Sequence, residues 1–132
     1  MAKHNEIGKV GEDLAMHWLI KGGFTIIERN YSRKWGEIDI VARGTSDRLH
    51  FVEVKSVSYG TEYDLKYAVT HETYRPEDNV HKNKQDRLKR AIQTWMLEHK
   101  YEGEFQIDIV TVRIVLDDKF AQINLIENVV FE

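Results

Sequence analysis

The sequence predicts a mixed α/β domain organised on one central sheet, and three observations carry that prediction. Apolar residues recur every three or four positions over residues 5–21 and again over 84–100, the period of an amphipathic helix. Between those helices lie three segments with the two-residue alternation of strands, at 24–28, from Gly36 to Val41, and at 49–57. Two more alternating segments, 105–115 and 120–126, follow the second helix. A helix feeding three successive strands, then a helix and a strand, is an αβββαβ core with a C-terminal strand added, and that order favours a mixed sheet over a parallel one.

In the first helix Ile7, Val10, Leu14, Ala15, Trp18 and Leu19 make the apolar stripe, and Gly22 and Gly23 stop it. Gly8 and Gly11 lie in its first turns, where each costs roughly 1 kcal/mol against alanine, so close approach of another backbone is the expected reason for both. Residues 24–28 then read as a strand and 30–35 as a polar connection. Gly, Thr, Ser and Asp over 44–48 make a hairpin turn between the second and third strands. Residues 58–80 hold the only proline, Pro76, and four tyrosines, Tyr59, Tyr63, Tyr67 and Tyr74. They read as a long, mobile insertion without regular structure. Its tyrosines are expected to anchor it on the body, with stacking on unpaired bases as the alternative. Leu88, Ile92, Trp95, Met96 and Leu97 give the second helix its apolar side, and Asp117-Asp118 turns between the last two strands.

A chain of 132 residues is expected to be one domain, burying roughly two-thirds of its unfolded surface. Without cysteine it has no disulfide framework and no thiolate chemistry. No apolar run reaches the length of a signal peptide or a membrane span, so the expected location is cytoplasmic. The six histidines have no metal-ligand spacing and are expected to be structural or incidental, and no phosphate-cradling glycine loop is present.

The chemistry concentrates between Gly36 and Lys55. On the third strand Glu53 and Lys55 share one face and Val52 and Val54 the other, while on the second Glu37, Asp39 and Val41 oppose Ile38 and Ile40. If the strands pair, Asp39 joins Glu53 and Lys55 on one surface. Two close carboxylates resist joint ionisation, and a divalent cation removes that repulsion. Oxygen donors favour Mg²⁺ or Mn²⁺, and the matching reaction is metal-assisted attack of water on a phosphodiester, with the lysine orienting water or offsetting phosphate charge. A plain exposed Glu-Lys pair is the competing explanation. It is weakened by Phe51, Val52 and Val54, which mark a strand buried on both faces, where charges need a reason.

The formal charge of −3 hides an uneven distribution: residues 82–90 carry Lys82, Lys84, Arg87, Lys89 and Arg90 against Asp86 alone. With Arg33 and Lys34, and with Gln85 beside them, these residues form a candidate nucleic-acid surface on an otherwise acidic chain, a solvated helix face being the alternative. Asp108 reads as structural. Glu12, beside the apolar stripe of the first helix, reads as a solvated carboxylate or as one that reaches over the sheet.

Gly8-x-x-Gly11-Glu12-Asp13-Leu14-Ala15, Gly22-Gly23-Phe24, Glu28-Arg29-Asn30-Tyr31, Gly36-Glu37-Ile38-Asp39 and Phe51-Val52-Glu53-Val54-Lys55 together resemble the YraN-like family, whose members are assigned as endonucleases. Lys84-Gln85 and Gln106-Ile107-Asp108-Ile109-Val110 extend the likeness into the second half. The resemblance implies the restriction-endonuclease-like fold of the PD-(D/E)xK superfamily, related to archaeal Holliday-junction resolvases. It implies Asp39, Glu53 and Lys55 as the catalytic signature and Glu12 as the helix glutamate. Ile38 stands where the wider signature often has proline. The implied activity is Mg²⁺- or Mn²⁺-dependent endonuclease cleavage of DNA, with Glu12, Asp39, Glu53 and the Val54 carbonyl holding the metal. The expected partner is duplex or branched DNA, with no membrane and with a homodimer left open. A non-catalytic nucleic-acid-binding module and a protein-interaction adaptor are the alternatives from other classes.

Overall fold

Strand alternation and helical periodicity resolve into five strands and three helices in the computed structural model, which describes residues 2–71, 75–79 and 81–131. In chain order they are α1 (Ala2–Lys21), β1 (Thr25–Arg33), β2 (Gly36–Arg43), β3 (Leu49–Ser58), α2 (Glu62–His71), a 3-10 turn (Pro76–Asn79), α3 (Lys82–Glu98), β4 (Phe105–Val115) and β5 (Phe120–Ile126). One sheet holds all five strands in the order β1-β2-β3-β4-β5. Only β3 and β4 run parallel; the other neighbours are antiparallel. A parallel pair needs a crossover, and α2, the 3-10 turn and α3 supply it. The mixed sheet between helices is consistent with a restriction-endonuclease-like fold.

Two apolar cores lie on opposite faces of the sheet. On one, Ile7, Ala15 and Leu19 of α1 pack on Ile40, Ala42, Val52, Val110, Val112 and Ile114. On the other, Leu88, Ala91, Ile92 and Trp95 of α3 pack on Tyr31, Val41, Leu49 and Phe51. Val52 and Val54 accordingly face α1, and Glu53 faces α3.

α1 closes as its glycines dictate. Gly23, with φ 97°, lets its own N–H bond Ile20 O and the Phe24 N–H bond Leu19 O, both at 3.0 Å, a Schellman cap. No helix among the described residues is long and apolar enough to cross a membrane.

Three expectations need correction. The polar connection expected at 30–35 is mostly strand, because β1 runs on to Arg33 by placing Asn30 in the left-handed region, φ 55°. Within 58–80 the described residues include a regular helix: α2 occupies Glu62–His71, capped by a hydrogen bond from the Asp64 N–H to Thr61 Oγ1 at 3.0 Å. The tyrosines on it are not buried against the body: Tyr63 and Tyr67 are 74% and 49% exposed and stack on each other. Tyr74 lies outside the described residues. Finally, Ile38 and Ile40 do not share a core. Ile38 joins the α3 side, where β2 has parted from β3 and pairs only with the turned end of β1 at Tyr31.

Candidate metal centre

The site is made by a ladder that stops. β2 and β3 pair from Arg43–Leu49 to Ile40–Val52 and no further. One residue on, the partners would have been Asp39 and Glu53, and the Val54 N–H beyond them lacks a carbonyl partner on β2. It donates instead to Asp39 Oδ2 at 2.8 Å. On a strand the N–H and C=O of one residue leave the same edge, so the Val54 carbonyl also looks into the gap.

Glycines bring the helices to this gap. A Cβ on Gly36 would strike the backbone carbonyl of Arg87 and sit 2.8 Å from its carbonyl carbon, so α3 rests directly on the start of β2. That contact places Lys84, one turn earlier on α3, beside Glu53. On the other face a Cβ on Gly11 would strike the Ser56 hydroxyl, with the Ser56 Cβ at 2.8 Å. The expected close approach at Gly11 is therefore real, though it is made by a side chain. At Gly8 nothing lies within 4 Å of the position, so close packing does not explain that glycine.

The Asp39 and Glu53 carboxyl groups lie within hydrogen-bond reach of each other. Burial, the charge of Glu53 and that hydrogen bond push the Asp39 carboxyl up to about 7, against the opposing pull of the Val54 N–H and Lys84. Glu53 is 1% exposed. Its Oε2 has no well-directed hydrogen bond, and the nearest counter-charge is the Lys84 ammonium at 2.8 Å. Burial alone would lower the Lys84 pKa, but its bond to Glu53 and the charges of Glu53, Asp39 and Glu37 leave it raised. Lys55 is shifted the other way, first by burial and then by Lys84 beside it.

Glu12 comes close enough for the Asp39 charge to act on it. Burial first, and Asp39 second, raise its pKa, while Arg29 opposes them from 3.8 Å. Among the described residues, no three acidic or histidine side chains converge tightly enough to enclose a metal by themselves. The donors in place are the Asp39–Glu53 pair and the Val54 carbonyl, with Glu12 at the margin. They fit a hard divalent cation on chemical grounds: Glu53 is buried, Asp39 is half-buried, and the two carboxylates repel each other when both are ionised.

A family model described as "Uncharacterised protein family UPF0102" matches residues 11–112, a span that contains Glu12, Asp39, Glu53, Lys55 and Lys84. The chain belongs to that family. It is 38% identical over 105 residues to a UPF0102 protein of Campylobacter fetus subsp. fetus (strain 82-40), covering 80% of this chain and 81% of that one. A UPF0102 protein of Campylobacter concisus (strain 13826) is 34% identical over 122 residues, 92% and 91% of the two chains. One from Dictyoglomus turgidum (strain DSM 6724 / Z-1310) is 35% identical over 122 residues, 92% of each.

The basic residues of this UPF0102 chain do not form one uniform surface. Lys84 is committed to Glu53. Arg33 lies on the Tyr31 ring and pairs with Glu98, donating at 3.0 and 2.7 Å. Lys89 bonds Phe131 O at 3.4 Å, and Lys82 pairs with Asp86 at 3.2 Å. Lys34, Arg87 and Arg90 are exposed, and Gln85 is half-buried in the first turn of α3.

Two features had no clear trace in the sequence. Lys84 appeared there only as one of several helix cations, since nothing in a linear pattern pairs it with a residue 31 positions earlier. His50 and Asp108 form a fully buried pair at 2.6 Å, Asp108 also accepting from Gln106 Nε2 and the Asn128 N–H at 2.9 Å. This places Asp108 in a structural role, joining β3 to β4 and the segment after β5.

Proposed function

We propose that the chain is a Mg²⁺-dependent endonuclease that hydrolyses phosphodiester bonds in branched or structured duplex DNA, with a PD-(D/E)xK site. The observation that supports it is the Asp39–Glu53 pair flanked by two lysines at the point where β2 and β3 part. Asp39, Glu53 and the Val54 carbonyl, with Glu12 approaching from α1, would hold one Mg²⁺ or Mn²⁺, which acidifies a bound water and offsets phosphate charge.

The chain's own groups do the rest. Lys55, its pKa lowered, holds the attacking water by hydrogen bonding and meets charge that develops on the phosphate. Lys84 keeps the buried Glu53 charge compensated before a metal arrives. Lys34, Arg87 and Arg90 are placed to attract the phosphate backbone.

Lys84 also favours a second reading, a non-catalytic nucleic-acid-binding module, because its ammonium already supplies a cation to the acidic pair. One experiment separates them: four-way-junction and linear DNA are incubated with purified protein in Mg²⁺, alongside Glu53→Gln and Lys55→Met. The endonuclease reading predicts nicking by the wild type and a loss of at least about 100-fold in both variants, with DNA binding retained. DNA binding without cleavage in Mg²⁺ or Mn²⁺ would establish the second reading instead.

A further inference from the structure

A cavity of about 250 Å³ opens between α2, the 3-10 turn, β4 and β5, lined by Arg75, Glu77, Thr111, Arg113 and Asn124 among others. Arg113 is only 8% exposed, and its Nε is buried without a hydrogen-bond partner. Among the described residues no carboxylate lies within ion-pair distance of it. Glu77 also lines the cavity, but it lies 3.9 Å from Arg75, which pairs with Asp78 as well at 3.1 Å. A guanidinium whose Nε is withdrawn from water with neither a hydrogen-bond acceptor nor a counter-ion is unfavourable in the free protein. Such a group fits a site that waits for an anion.

The lining selects the anion. A guanidinium presents a planar fork of donors matched to phosphate, and the Thr111 hydroxyl and Asn124 amide add neutral donors. Thr111 and Asn124 are register partners on β4 and β5, so their side chains share a face. At roughly 30 Å³ per water molecule, the cavity has room for a phosphate and the atoms attached to it.

Register also relates the cavity to the acidic pair. β3 and β4 align Lys55 with Thr111 and Val57 with Arg113, so Arg113 is on the same sheet face as Glu53 and Lys55. At about 4.8 Å between strands and 3.3 Å per residue, its Cα is roughly 8 Å from that of Lys55. We propose that this pocket binds a phosphate group of the nucleic-acid strand, next to the one that is cleaved. The place of that phosphate relative to the cut rests on the endonuclease reading; the anion site itself does not.

The test follows the Arg113 Nε–H and Thr111 amide signals by NMR in metal-free protein, titrated with inorganic phosphate and with a 5′-phosphorylated DNA dinucleotide. Both probes should shift these signals, the dinucleotide at lower concentration. Arg113→Met should fold, having lost an unpaired buried charge, and should weaken dinucleotide binding at least about tenfold, with Arg113→Lys intermediate. Absence of shifts in the wild type, or an unaltered titration in Arg113→Met, would overturn the anion site. Dinucleotide binding no tighter than inorganic phosphate would overturn its assignment to the nucleic-acid strand. Asp39→Asn should lose Mn²⁺ binding and keep the phosphate response, so failure of the endonuclease reading and failure of this site remain distinguishable.

Discussion

Asp39 and Glu53 are each ordinary strand residues; their consequence comes from sharing one gap. In the folded protein the Asp39 carboxyl is pushed up to about 7, from an ordinary value of 3.8. The folded protein therefore holds a proton that the unfolded chain releases, and metal-free stability should fall as pH rises between those two values. Asp39→Asn keeps the shape and can accept from Val54 while donating to Glu53, but it does not titrate. In urea denaturation with chelator present, the variant should match the wild type near pH 4 and exceed it at pH 8. With each pKa unit worth about 1.36 kcal/mol, the gain should be on the order of a few kcal/mol. Parallel pH profiles for the two proteins would mean that the pair is not strained. The carboxylates and Lys55 were legible in the sequence because a period of two puts them on one face. Lys84 was not, because its pairing depends on how α3 lands on the sheet.

Elements meet through positions without side chains. Gly36 lets the Arg87 backbone onto β2, and Gly11 lets Ser56 against α1. Gly36→Ala should therefore cost about 1–3 kcal/mol by overpacking and displace Lys84 from Glu53. Gly8→Ala, in open space on the same chain, should instead stabilise by up to about 1 kcal/mol through helix propensity. Thermal unfolding of the two variants checks both signs, and equal effects would contradict this account of the packing. Strand bounds at β4 and β5 and the turn between them follow directly from alternation and Asp117-Asp118. α2 escaped the sequence reading because only Leu65 and Ala68 are buried on it. Two buried positions do not make a readable stripe. The extra length of β1 escaped as well, since a left-handed Asn30 inside a strand resembles a turn residue.

Across the whole molecule, the sheet divides labour between its faces. The α1 side holds the apolar core of Val52, Val110, Val112 and Ile114 with the self-contained His50–Asp108 pair beside it, whereas the α3 side carries, from β2 outward, Asp39, Glu53 and Lys55, then Thr111 and Arg113, then Asn124. Charged and polar groups thus run across one face from the parted strands to the Arg113 cavity. The mixed topology was legible from the order of elements, and the polar face was not, because it is assembled from register across three strands. The most direct test of the central claim is an anomalous-scattering map of crystals soaked in Mn²⁺. One Mn²⁺ is expected within about 2.2 Å of carboxylate oxygens from both Asp39 and Glu53, with Lys84 displaced from its 2.8 Å contact with Glu53. Saturating Mn²⁺ that leaves the Lys84–Glu53 pair intact and the gap free of metal would contradict it.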